Sequence, residues 1–478
     1  MRGILQAVLF MAIALGLYLE HNDWPAVYHH DEPSKVAQLQ RDERNLNHPL
    51  LLLEVTDVVR RVSGVSRVDD VGIVACGRAV SAFCMAVAIG MLSLAATNRL
   101  GLLAGFAVGI VCVLYFRFYE VGHYFKEDTP YLLGVASVLW ALTTTKHTAV
   151  YMGLAIGIAA ASKYAGISLL AVGWLVTTEK RKLIASTVAV ITLVHLRLLM
   201  IDNPFGVLAD SLMREASWLI HGHKGIGSSL PNIGYFWRLI YELGIHGLVL
   251  LGLWGLSWKR LSRSDYVVLS YIGVYFVVLL STRKYSERYL LPVMMIALYY
   301  VGLQVAMLVR RVPARFRWGK LGVAVVLFAS IVVPWYPWLV SHRNAFGGDS
   351  RSGLCQYIAE KMPAAAVIVA DAAAEIEAAQ RWRGDRASKI EAAEYAPSLG
   401  SLEDLRARGV THVVICYDTY HRFLVDGATV DPSRMEEWTA ALKFYRRLKK
   451  ETPLWCAAPR DPKPLHPGLE LYAMPGKL

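Results

Sequence analysis

Charge is scarce in this 478-residue chain: 18% of its residues are Asp, Glu, Lys or Arg, against 55% hydrophobic, and its mean hydropathy is +0.38. That balance excludes an ordinary soluble protein of this size. Cysteine is scarce too. Cys76, Cys84 and Cys112 fall in apolar runs and Cys355, Cys416 and Cys456 in the C-terminal part, none with metal-type spacing, so at most one tail disulfide is open and nothing requires it. Internal repeats and low-complexity segments are absent, and from Ser341 onward so are long apolar runs.

What is present is a series of apolar runs from Ile4 to Val340, most of them about 15 to 21 residues long, near the length that crosses a hydrocarbon core. They predict about eleven spans: Ile4 to Leu19, Val71 to Ala96, Leu100 to Phe116, Tyr131 to Thr145, Ala149 to Ala161, Ala165 to Thr178, Leu183 to Ile201, Phe236 to Leu256, Tyr266 to Ser281, Leu290 to Val309 and Leu321 to Val340. Alternate connections carry Arg99, Lys146, Lys180-Arg181-Lys182, Lys259-Arg260 with Arg263, and Arg310, Arg311, Arg315, Arg317 and Lys320. By the positive-inside rule these face the cytoplasm. The loop from Glu20 to Asp70, the Lys126 to Pro130 turn, the Asp202 to Tyr235 loop, the Arg283 to Tyr289 turn and the tail then share the opposite face. Met1 to Glu20 has the build of a signal peptide without a clear A-x-A site, and its cleavage would leave this sidedness unchanged.

The net charge of +12 does not call for nucleic acid, because much of the excess sits in short loops beside spans, where topology and anionic lipid account for it. The reading is a polytopic α-helical membrane domain over residues 1–340, with an extracytoplasmic loop at 20–70, followed by a small α/β extracytoplasmic domain at 341–478. Within the loop, Ser34 to Arg44 reads as a short polar helix behind Pro33, and a second helix starts at Pro49 and ends at Gly64. In the tail, AAAVIVA and VTHVVIC read as strands and Ser401 to Arg408 and Met435 to Lys449 as helices.

Five constellations carry candidate chemistry. Asp31 and Glu32, in HHDEPSK, place two carboxylates just after the first span, where one of them can take a proton from an acceptor hydroxyl; taken alone, the pair reads first as a helix cap. Asp128, in Lys126-Glu127-Asp128-Thr129-Pro130, is a second acid at the outer start of a span, and equally a helix opener. The turn Arg283-Lys284-Tyr285-Ser286-Glu287-Arg288-Tyr289 gathers donors for an anion, on a face where the positive-inside rule does not favour them; the plain alternative is a snorkelling flank. His221-Gly222-His223-Lys224-Gly225 suits phosphate before a metal, and suits an incidental glycine-bearing loop before either. Arg78, Arg117, Glu120 and Lys163 are buried or bordering charges, for which pairing within the bundle is the first reading; Arg78 in particular can fix a carboxylate.

The order of these motifs resembles the GT-C superfamily, in particular the bacterial relatives of protein O-mannosyltransferases and of the lipid A aminoarabinose transferase. The resemblance covers roughly Met1 to Val340. It rests on the acid pair after the first span, the His48-Pro49 step, Gly77-Arg78-Ala79-Val80-Ser81 early in the second span, Asp128, and Arg288-Tyr289-Leu290-Leu291-Pro292. It implies a transferase that takes a sugar from a polyprenyl phosphate on the extracytoplasmic face of a bacterial inner membrane, with inversion, and delivers it to a lipid, glycan or protein hydroxyl. Carried over by position, Asp31 resembles the general base with Glu32 as its companion, Asp128 the second acid, and His48, His223, Arg283, Lys284 and Tyr289 the groups around the donor phosphate.

Relatives carry His-Pro-Pro or Glu-Lys-Pro where this chain has Asn47-His48-Pro49, and the acid lost at Asn47 has been a metal ligand in some of them. That loss disfavours a metal site without closing it to a divalent ion, and no cofactor is required. No sugar nucleotide is needed either, in keeping with the lack of a Rossmann glycine fingerprint or a cytoplasmic D-x-D. The rival class is a secondary transporter or lipid flippase, which would place charges at mid-membrane in repeated halves; a silent scaffold whose tail binds a partner is a third reading.

Overall fold

Every one of the eleven apolar runs is built on helix. The computed structural model describes residues 1–478 except 23–28, 30, 145, 201–202, 223–225, 228–229, 257–260, 314, 386–388, 425–428, 462–465 and 475–478. The chain divides into two units: Met1–Asn22, Gln38–Arg214 and Leu230–Val340 make the first, and Asp23–Ala37, Glu215–Ser229 and Ser341–Leu478 the second.

The helices of the apolar part run α1 (Arg2–Leu19), α2 (Glu32–Arg41), α3 (Leu51–Val62), α4 (Asp70–Leu100), α5 (Leu102–Leu114), α6 (Phe116–Gly122), α7 (Asp128–Ala141), α8 (Thr148–Ser162), α9 (Leu170–Val176), α10 (Lys180–Val194), α11 (Pro204–His221), α12 (Gly234–Leu256), α13 (Arg263–Leu280), α14 (Leu291–Arg311), α15 (Arg317–Val332) and α16 (Tyr336–Ala345). Among the described residues five stretches are long and apolar enough to cross a membrane: α1, α4, Gly234–Trp254, α13, and Glu287–Arg311; counting two bent pairs as single spans gives up to seven. α7 to α10 are 14, 15, 7 and 15 residues long. They are shorter than the roughly 20 residues a straight crossing needs, so the apolar runs are helical as expected, while five to seven stretches among the described residues, not about eleven, have the length and composition of a crossing.

Local chemistry explains where the long helices begin and end. Asp69 caps α4 by accepting the Gly72 N–H at 2.9 Å, and Gly101 closes it at φ 73°. Ser262 and Asp265 form a reciprocal capping box at the start of α13. α14 is apolar and buried on all sides, from Leu291 to Ala306, and packs against α5, α12, α15 and α7. By contrast Leu193, Ile245, Val274, Val277 and Val326 stand exposed on α10, α12, α13 and α15, a surface suited to lipid. These features describe a multi-pass membrane protein.

In the second unit, β1 (Ile226–Gly227) pairs antiparallel with β5 (Thr429–Val430). The main sheet has the order β3-β2-β4-β7-β6, with β2 (Val367–Asp371), β3 (Lys389–Ala393) and β4 (His412–Cys416) parallel and β7 (Leu469–Ala473) and β6 (Trp455–Ala457) antiparallel. Alternate residues serve opposite faces. Val369, Val413, Ile415 and Tyr472 meet Leu405, Phe423, Phe444 and Tyr445 on one side, while Ile368, Ala370, Val414 and Leu471 meet Leu354, Ile358 and Ile376 on the other. The two predicted strands and both predicted tail helices are present, as β2, β4, Leu402–Ala407 and Met435–Leu448. All six cysteines are free thiols.

The tail core also contains two displaced carboxyls. Asp371, fully buried, accepts from Ala396 N, Cys416 N and Tyr445 Oη at 2.8, 2.9 and 2.7 Å, yet burial raises its pKa to about 6. Burial likewise lifts Glu375 to about 7, against the pull of Arg351 and Arg381. Folded, both hold protons that the unfolded chain has released by about pH 4 to 5. The native tail therefore binds more protons than the unfolded tail, and it loses stability as pH rises through about 6 and about 7. Limited proteolysis of the full-length protein in urea is expected to cut the tail more slowly at pH 5.5 than at pH 8, by a stability difference on the order of 2 kcal/mol; equal rates, after correction for protease activity, contradict the assignment.

Candidate functional site

Asp128 is the first residue of α7 and is 2% exposed, held in an ion pair with Lys163 at the end of α8. α7 and α8 form a close hairpin because small residues face each other across it. A Cβ on Gly134 would lie 2.6 Å from Ala159 Cβ and 2.7 Å from its backbone nitrogen, so the two helices approach at backbone distance and the start of α7 meets the end of α8. Gly134→Val is expected to part them and cost about 1 to 3 kcal/mol or more in melting experiments. Gly252→Ala, where nothing lies within 4 Å, is the harmless control.

The Gly77-Arg78-Ala79-Val80-Ser81 motif has a structural task at the same place. Gly77 leaves room for the Phe125 ring, which a Cβ would strike at 2.3 Å, and Ser81 Oγ accepts the Lys126 N–H at 3.4 Å. The motif thus seats the turn that leads into Asp128. Arg78 is 1% exposed, and its Nη1 donates to the Asn22 carbonyl at 3.4 Å.

Around Asp128 the charge is mainly positive. Lys163 Nζ lies 6.0 Å from the centre of the Tyr131 ring and 5.5 Å from that of Tyr289, and Lys284 Nζ lies 5.5 Å from the same Tyr289 ring. Arg288 and Lys126 are within electrostatic range of Asp128. Lys126, wholly buried in the turn before α7, is held well below the usual lysine range by burial and by Arg288, with Glu127 and Asp128 opposing. Tyr271 and Tyr275 stand close to Tyr131. Tyr235 fixes the Arg283 to Tyr289 turn by donating to Lys284 O at 2.9 Å and accepting Ser286 N–H at 3.0 Å. Lys284, 7% exposed, is the buried member of the Arg283-Lys284 pair.

The segment carrying His48 is fastened to the same end of the hairpin, because Tyr164 Oη, next to Lys163, donates to Leu46 O at 2.6 Å. His48 is half-buried, just ahead of α3, whose preceding Leu50 N–H donates to His195 Nε2 at 3.3 Å; Asn47 accepts from Arg214. Among the sequence candidates the first unit therefore brings together Asp128, Lys284 and Tyr289, with the His48 segment tied beside Lys163. His223 and its neighbour Lys224 lie outside the described residues.

Asp31 and Glu32 belong to the second unit. The two differ in setting. Glu32 opens α2, is 0% exposed and accepts the His29 N–H at 3.4 Å, whereas Asp31 keeps 28% of its side chain exposed, with its carboxylate 3.7 Å from His29 Nδ1. A half-open carboxylate beside an imidazole can exchange a proton with a bound hydroxyl; a sealed one serves structure. No group of three or more His, Cys, Asp or Glu placed to hold a metal occurs among the described residues.

No protein-family model matches the chain, and no curated protein is detectably similar to it in sequence. Solved structures do resemble it. ArnT from Cupriavidus metallidurans, in a crystal structure with bound undecaprenyl phosphate, superposes with a TM-score of 0.58 at 15% identity, over 87% of this chain and 94% of that one. The chain has the GT-C fold. The Archaeoglobus fulgidus oligosaccharyltransferase, tethered to an acceptor peptide with the NVT sequon, shares that fold at a TM-score of 0.56 and 11% identity, over 87% of this chain and 70% of that one. The matched share of this chain is too large to stop at Val340, so the GT-C likeness extends beyond the stretch that carried the sequence motifs.

Proposed function

We propose that the protein is a membrane glycosyltransferase that moves a sugar from a polyprenyl-phosphate donor to a hydroxyl of a lipid, glycan or protein, on the periplasmic face of a bacterial inner membrane and with inversion at the anomeric carbon. The observation that carries this reading is the cluster of Lys163, Lys284, Arg288 and Tyr289 about Asp128, built on a GT-C fold. The ArnT structure with undecaprenyl phosphate supports a lipid phosphate as the ligand of such a fold.

In the proposed reaction Asp31 accepts the proton of the acceptor hydroxyl, and the freed oxygen attacks the anomeric carbon. The bond from that carbon to the phosphate oxygen breaks, and its electron pair leaves with polyprenyl phosphate. The leaving monoester gains negative charge, which two lysines and an arginine balance and to which a tyrosine hydroxyl donates a hydrogen bond, in a poorly solvated place where such contacts are strong. His48, at a helix N-terminus, adds a donor on the same side. Asp128 keeps Lys163 oriented and in turn orients the acceptor. Direct displacement by an acceptor oxygen from the opposite face gives the inversion. A flippase reading would need charges strung along a path at mid-membrane, whereas these collect at one place, about the start of α7, the end of α8 and the start of α14.

The test is binding of undecaprenyl phosphate to purified protein in nanodiscs, followed by native mass spectrometry. Saturable binding by the wild type, weakened about tenfold by Lys284→Gln, is the expected outcome. No saturable binding at any lipid fraction overturns the proposal.

A further inference from the structure

Beside the phosphate cluster lies a second set of buried charges that the proposed reaction does not use. Arg117, at the second position of α6 and 8% exposed, holds three carboxylates: Glu120 at 2.6 Å, Glu242 of α12 at 3.2 Å, and Glu287. Arg238 of α12 reaches Glu242 and also Glu287, the latter at 3.1 Å. Tyr115 donates its hydroxyl to Glu242, and Trp335 Nε1 donates to the Glu242 carbonyl at 2.7 Å. The set thus joins α6, α12 and the segment after α15 to one short turn.

Glu287 is the member that belongs to that turn. It is the first residue of the 3₁₀ helix Glu287–Leu290, whose next two residues are Arg288 and Tyr289. In a 3₁₀ helix with three residues per turn, successive side chains fan out about 120° apart. A carboxylate gripped from one side by two guanidiniums therefore fixes the azimuth of the two residues that follow it. Tyr235 restrains the turn ahead of this helix, at the Lys284 and Ser286 backbone and by a ring contact with Tyr285 at 4.9 Å between centroids; the Glu287 clamp adds a side-chain restraint within the short helix itself.

We infer that Glu287 is a positioning residue: clamped by Arg117 and Arg238, it aims Arg288 and Tyr289 at the Asp128–Lys163 end of the hairpin and so sets the affinity for polyprenyl phosphate. This rests on the proposed function. Glu120 is the internal control, because it pairs with the same Arg117 but sits on α6, away from the turn. Both substitutions, Glu287→Gln and Glu120→Gln, remove one carboxylate from one network. A purely structural role predicts equal consequences.

The experiment measures the dissociation constant of undecaprenyl phosphate and the melting temperature of the full chain in nanodiscs. Glu287→Gln is expected to weaken binding about tenfold, while Glu120→Gln stays within about twofold of wild type even where its melting temperature falls as far. Wild-type affinity in Glu287→Gln, or equal weakening by both variants, overturns the inference. Should Glu287→Gln fail to accumulate in membranes, Glu287→Asp keeps the charge, shortens the reach by one methylene and is expected to give the same weakening. A wild type that binds no undecaprenyl phosphate removes the proposed function itself, a result distinct from either.

Discussion

Asp31→Asn is expected to lower sugar transfer by at least about 100-fold, the usual lower bound for removing a general base, with folded protein still accumulating in membranes. Asparagine keeps the shape of the side chain and part of its hydrogen bonding, and Asp31 is partly open to solvent, so little stability depends on its charge. What is lost is the one proton acceptor of the pair that is not sealed. Glu32→Gln makes the contrast. Its oxygen accepts the His29 N–H inside a closed environment, a contact the glutamine carbonyl can keep, so the expected change in rate is small beside that of Asp31→Asn. Transfer assays on membrane vesicles, scaled to the amount of folded protein, check both; full activity in Asp31→Asn sinks the assignment of the base.

The second large effect belongs to the Asp128–Lys163 pair, and two variants separate its structural and functional parts. Lys163→Met leaves Asp128 buried without its ion-pair partner, a change that typically costs about 3 to 5 kcal/mol. Adding Asp128→Asn removes the stranded charge, so the double variant is expected to recover most of the lost melting temperature. Activity should not return with it. The double variant lacks both a cation for the leaving phosphate and the acid beside it, and transfer should stay at least about 100-fold below wild type. A double variant that regains both stability and activity would reduce the pair to a helix clamp.

Much of this was legible in the sequence, and where it was, the signal was local. Apolar run length marks the helical segments, and the short β-branched runs in AAAVIVA and VTHVVIC mark β2 and β4. Pro49 and Gly64 bracket α3, and Gly64 indeed adopts φ 70°. The site was legible in part. Asp128 and the basic turn stand out by their types and Lys163 as a bordering charge, but pairing it with Asp128 requires knowing that Gly134 and Ala159 bring α7 and α8 to backbone distance.

Tyr131 and Tyr235 were not legible at all, since an aromatic residue near a span end is usual whatever it touches. His29 adjoins the acid pair, yet a histidine two residues before an aspartate has no signature of its own. Arg117 and Glu120 stand out in the sequence as charges whose first reading is pairing within the bundle; that they pair with each other, and that Arg117 also reaches Glu287, 170 positions away, is a product of the fold.

The most direct measurement of the central claim follows the sugar itself. Purified protein in proteoliposomes, supplied with a panel of radiolabelled polyprenyl-phosphate hexoses and pentoses and a membrane extract as the source of acceptors, is expected to release polyprenyl phosphate from one donor while the label passes to an acceptor, and to do neither as Asp31→Asn. Label that stays on the polyprenyl lipid with every donor, while that lipid crosses the vesicle membrane in a protein-dependent way, would contradict the account and identify a flippase instead.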